Sequence, residues 1–189
     1  LSYFKTAIRA ATEGVIERLK TAHSNNEVYA LVFYPTSGFG DIDVLYATKG
    51  WLSKQPVGKG PQPDEEMLEL LKSHPDLLQQ VKSHRTSEYY FEVNAYEWDS
   101  PISFFDLFTA VNEILHEMEE NDSIESILTE VLQDLRSSGQ FESDAFANDV
   151  LLGVQFSDPS PNEVDLVTRI SLAVNSAETH AKICDGYGI

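Results

Sequence analysis

The chain has 189 residues, of which 42% are hydrophobic and 23% charged, the composition of one globular domain with a proper core rather than of a disordered chain. Its formal net charge is −18, which disfavours nucleic acid phosphates and anionic lipid as partners. No apolar run approaches the roughly 20 residues that a bilayer span requires.

Residues 1–20 alternate charge and apolarity at helical spacing, unlike the solid apolar stretch of a signal peptide. Leu1 is not a natural start, so an export signal can precede the sequence given; cytoplasmic residence is the default expectation. Phe4, Ile8, Ala11, Val15 and Leu19 form one stripe and predict the first helix, fading before Asn26. Residues 28–34 are a continuous run rich in β-branched and aromatic side chains ending at Pro35, which predicts a largely buried strand. A turn-rich stretch follows, then a second strand over 42–48, so the pair reads as an antiparallel hairpin. Residues 50–63, with three prolines and three glycines, read as a loop.

A helix is predicted over about 64–72, opening on Asp64, Glu65 and Glu66 at its favourable dipole end, and Pro75 starts a short one. Residues 88–93 read as a third strand. The clearest helix spans 103–120, with Phe104, Leu107, Phe108, Val111, Ile114, Leu115 and Met118 as its core stripe. Ser103 followed by Asp106 resembles a capping box with a shortened acid. Ile124, Ile127, Leu128, Val131 and Leu135 give the next helix its buried face, with Gly139 placed to end it. Residues 150–156 read as a fourth strand, and Ser160, Pro161 and Glu163 as a helix start leading through Val174. Strict βαβ alternation is absent. The expected fold is a single α+β domain over 1–189, with a mainly antiparallel or mixed sheet of about four strands packed against several helices.

No catalytic or metal signature emerges, and no cofactor is expected. The histidines lack zinc-site spacing, and the lone Cys184 reads as an inert tail residue. Asp41 and Asp43 share strand parity but lack the remaining ligands of a calcium loop. The stretch Gly58-Lys59-Gly60 lacks the order of a phosphate loop, and Pro61 and Pro63 exclude the helix it would need. Glu88, Glu92 and Glu97 lie among aromatics and constitute the candidate carboxylate site of an enzyme, the second reading of this chain.

Charge placement is more informative. Residues 1–85 carry 10 basic and 10 acidic side chains, whereas 86–189 carry 3 basic and 21 acidic. Asp106, Glu113, Glu117 and Glu120 fall opposite the core stripe of one helix, and Glu119, Asp122 and Glu125 continue the ridge. Like charges four residues apart cost about 0.2–0.5 kcal/mol per pair. A solvated face explains this ridge, and so does a docking face for a basic protein. As a docking face, the ridge makes Glu113, Glu117, Glu120, Asp122 and Glu125 the partner-binding residues, with Trp98 or nearby aromatics as anchors.

Val28-Tyr29-Ala30-Leu31-Val32-Phe33-Tyr34, the second strand ending Tyr46-Ala47-Thr48, Tyr96-Glu97-Trp98 before a long helix, and the final strand running into Ser157-Asp158-Pro159 together resemble a bacterial family of uncharacterised α+β domains, over roughly residues 1–176. The resemblance implies a cytoplasmic immunity protein that binds a polymorphic toxin and blocks its active site, a role that needs no catalytic groups, and the acidic field adds the expectation that the toxin is basic. A self-associating structural module is the third reading.

Overall fold

The apolar stripe of the first helix, α1 (Ser2–Ala22), is buried as its spacing requires, joined by Thr12 and Ile16. Thr12 tolerates burial because its hydroxyl donates to Ile8 O at 2.7 Å. These relations come from a computed structural model, which describes residues 2–56, 65–76, 78–79, 87–118 and 124–189. The chain continues through β1 (Val28–Pro35), a 3₁₀ turn (Ser37–Phe39), β2 (Ile42–Thr48), α2 (Lys49–Leu52) and α3 (Glu65–Leu71). A short α4 (Tyr90–Val93) and a 3₁₀ turn (Ala95–Glu97) follow, then α5 (Phe105–Glu117), α6 (Ile124–Ser137), β3 (Phe146–Val154), α7 (Pro161–Val174) and α8 (Ala177–Tyr187).

The sheet is mixed, with strand order β2-β1-β3. Strand β1 pairs antiparallel with β2, the expected hairpin, and parallel with β3. Its central place explains its composition: a strand covered on both faces must be apolar on both, and seven of its eight residues are buried. Among the described residues there are three strands, not about four. The expected strand at 88–93 is instead the helical turn α4, in which Tyr90 and Val93 are the buried pair. Their three-residue spacing is a helical period. The turn is tied down by Tyr90 OH donating to Glu97 Oε1 at 2.7 Å and Trp98 Nε1 donating to Phe91 O at 3.0 Å.

Both outer strands present open edges, and polar side chains close them. Asn112 of α5 accepts from Ile42 N and donates to Ile42 O, at 2.9 and 3.1 Å. Ser100 treats Tyr46 the same way. On the other side Asn175, just past α7, accepts from Leu152 N at 2.9 Å and donates to Leu152 O at 2.7 Å. These contacts satisfy backbone groups that would otherwise template pairing with another chain. Gln155, 2% exposed, bridges Ala95 N and Val93 O, fastening α4 to the end of β3.

Several other local expectations change. Residues 49–52, read partly as loop, form α2, capped by Thr48 accepting from Trp51 N at 3.2 Å. Helix α5 begins with Phe104 as its N-cap and no side-chain cap, and Asp106 is held by Arg18 of α1 rather than closing a capping box. At α7 the box does form between Ser160 and Glu163. Helix α8 lies where the sequence reading placed only a tail. Ser176 caps it by accepting from Thr179 N, and Gly188, at φ 72°, ends it in the left-handed conformation that glycine adopts without steric cost. Asp64, the stretch Gly58-Lys59-Gly60, and Glu119, Glu120 and Asp122 lie outside the described residues. No described helix is long and apolar enough to cross a membrane.

Candidate functional site

The exposed side of α5 carries Asp106, Glu113 and Glu117 opposite the buried Phe108, Val111 and Leu115. Folding treats these carboxylates differently. Arg18 engages both oxygens of Asp106, and that hydrogen-bonded partner holds Asp106 below the usual carboxylate range. Glu125, at the start of α6, is taken by Arg169 of α7, at 3.1 and 2.9 Å. Glu113 and Glu117 have no ion pair or side-chain hydrogen bond among the described residues. Between them, His116 Nε2 sits 2.8 Å from Gly40 O and 3.1 Å from Asp41 Oδ1. Two members of the expected ridge are therefore committed to internal pairs, and two stand free.

Trp98 is not an anchor on this surface. It is 7% exposed, packs edge-on against Tyr29 with centroids 6.2 Å apart, and spends its indole N–H on Phe91 O. The aromatics that do reach solvent nearby in sequence are Tyr96 and Phe105, 66% and 63% exposed.

Each of the three glutamates of the enzyme reading is engaged by a neighbouring side chain. Glu97 accepts from Tyr90, Glu92 from Lys182 at 2.9 Å, and Glu88 is bound by its neighbour Tyr89. Asp43 accepts from its neighbour Val44 N at 2.7 Å, while Asp41 faces His116. No group of three or more potential metal ligands occurs among the described residues. Cys184 lies on α8, 3.6 Å from His180 Nε2. Burial pushes its thiol pKa up, the opposite of an activated nucleophile.

A concavity that the sequence did not reveal lies where β1 and β3 begin. Val28 pairs with Thr48 and Ala30 with Ala47, so Tyr29 is an extra residue in β1. Against the same step, Val28 to Ala30, β3 advances from Phe146 to Leu151. Bulges of this kind re-aim side chains and open the ladder. The resulting cavity, of about 270 Å³, is lined by Tyr29, Lys49, Glu92, Asp149, Glu178 and Lys182, with Thr179 and apolar neighbours completing it. Asp149 is fully engaged: Ser176 and Thr179 donate to it at 2.6 and 2.7 Å, and Arg136 lies 3.5 Å away. Lys182 is 2.9 Å from Glu92 and 3.9 Å from Glu178, and the hydrogen bond with Glu92 is the main reason its pKa is raised. The Tyr29 hydroxyl is buried without a hydrogen-bond partner among the described residues. Burial, followed by the Glu92 charge, pushes its pKa up, so it stays a neutral phenol. These groups come from β1, α2, α4, β3 and α8, and no spacing rule connects them along the chain.

No known protein family, curated protein or solved structure matches this chain.

Proposed function

We propose that this chain is a non-enzymatic acidic binding domain that docks a basic protein through the exposed side of α5, with Glu113 and Glu117 as its electrostatic contacts. The observation that carries the reading is that these two carboxylates stand exposed and unpaired among the described residues while Asp106 and Glu125 are neutralised, within a segment holding 21 acidic against 3 basic residues. Such a field steers a cationic partner and makes the encounter salt-dependent. Glu120 and Asp122 extend the proposed contact along the chain, and the exposed Phe105 and Tyr96 replace Trp98 as candidate aromatic anchors. The sequence resemblance gives the partner its class: a basic toxin, such as a nuclease, neutralised in the cytoplasm.

The test is the affinity for a basic partner recovered at low salt and identified by mass, measured for the native chain and for the Glu113→Lys, Glu117→Lys double variant. We expect binding to weaken about 10- to 100-fold, as for loss and reversal of charges at a steered interface, and the partner's activity to be inhibited at one-to-one stoichiometry by the native chain only. Unchanged affinity in the double variant would remove α5 from the interface.

A further inference from the structure

The cavity at the β1–β3 bulge shares no lining residue with the proposed protein-docking face on α5, and its chemistry is of another kind. We propose that it binds a small zwitterion of amino-acid size, recognised by the Tyr29 hydroxyl together with one free charge of each sign on its walls.

Three observations lead there. The first is the phenol. Tyr29 is 7% exposed, lines the cavity, and has a hydroxyl with neither a donor nor an acceptor bonded to it among the described residues. Leaving a buried hydroxyl unpaired is costly in a folded protein, so such a group calls for a partner that completes it. The second is the backbone that brings it there: the extra residue in β1 is Tyr29 itself, and the ladder opens on β3 at the same step.

The third observation is the balance of unspent charge. Asp149 is satisfied by Ser176, Thr179 and Arg136, and one oxygen of Glu92 by Lys182. What remains is the Lys49 ammonium, which has no side-chain ion pair or hydrogen bond among the described residues, the second oxygen of Glu92, and Glu178, held only loosely at 3.9 Å from Lys182. A simple anion would meet three carboxylates in this space, and a simple cation two ammonium groups. A molecule carrying both charges meets Lys49 with its carboxylate and Glu178 or Glu92 with its ammonium, and Tyr29 can donate to the first or accept from the second. A volume of about 270 Å³ lies just below the range of drug-sized pockets, which suits a ligand of this size.

The experiment is a titration of the full chain, followed by amide chemical shifts and calorimetry, with free L-amino acids. Each is paired with the amine and the carboxylic acid that carry the same side chain. We expect saturable millimolar or tighter binding of at least one amino acid, with shifts centred on Tyr29, Asp149 and Lys182, and no saturation by the singly charged analogues. Tyr29→Phe should lose at least tenfold in affinity while its thermal midpoint stays equal to or above that of the native chain, because the substitution removes a hydroxyl that has no partner. Lys49→Gln and Glu178→Gln, both at the surface, should each weaken binding by a similar factor. The proposal is overturned if no amino acid saturates, if a singly charged analogue binds as well, or if Tyr29→Phe retains full affinity. The last result would mean that an ordered water completes the phenol.

Discussion

Asp149 shows how much a single carboxylate can be asked to do in this fold. Burial opposes its charge, but donors from Ser176 and Thr179 and the neighbouring Arg136 outweigh that cost and hold its pKa below the ordinary 3.8. A folded-state pKa that lies below the unfolded one contributes stability above the unfolded value and loses it as pH falls through the folded value. Asp149→Asn should therefore be less stable than the native chain at neutral pH, with the difference shrinking as pH drops below about 4. Urea unfolding at stepped pH checks this; a difference that stays constant into acid would show that hydrogen bonding alone, and not charge, makes the residue stabilising. At this scale the sequence was legible in residue type and blind to partner. Glu113, Asp106 and Glu125 look alike in the chain, yet two of them are paired with arginines 88 and 44 residues away.

At the scale of elements, apolar patterning found α1, β1, β2, α5, α6, β3 and α7: the helices bury one face and their spacing records which, and the central β1 is apolar on both faces. It misread 88–93, where an aromatic run too short to display a period was assigned to a strand and folds as α4. It also missed α8, whose signals are end signals: the Ser176 cap and the Gly188 terminator. The reason that α8 packs where it does lies in Gly186. A Cβ there would stand 2.1 Å from Val93 Cγ2, and Val93 is fully buried. In an exposed helix, replacing glycine by alanine gains about 1 kcal/mol. Here overpacking against a β-branched neighbour costs about 1–3 kcal/mol, so Gly186→Ala should be destabilising, and Val93→Ala in the same chain should recover part of the loss. Chemical denaturation of the single and double variants measures both terms. A stabilised Gly186→Ala would mean that α8 does not rest on α4.

For the whole molecule the question is how a charge of −18 is carried. Folding lays the cations of α1 over the acidic helices: Lys5 meets Glu130 at 2.8 Å, Arg9 meets Asp134 at 3.3 Å, and Arg18 meets Asp106. These pairs are largely exposed, so solvent screens them and each contributes little. They do not offset the net repulsion, which acts among all the remaining carboxylates. Raising NaCl from about 0.02 to about 0.3 M shortens the Debye length from roughly 20 Å to roughly 5–6 Å, so the thermal midpoint should rise. A midpoint that falls would mean that the ion pairs outweigh the repulsion.

The sequence by itself determined the α+β class, the hairpin, most helices, the acidic half and the lack of any familiar catalytic signature. Each is recorded in local spacing or in simple counts. Only the tertiary structure decided that the sheet has three described strands in the order β2-β1-β3, that Asn112 and Asn175 close its edges, and which acids on α5 remain free. It alone gathered Tyr29, Lys49, Glu92, Glu178 and Lys182 around one cavity. The physical reason is common to all of these: they depend on which distant segments meet, and pairing between segments leaves no period along the chain, whereas burial of one face of a helix or strand does.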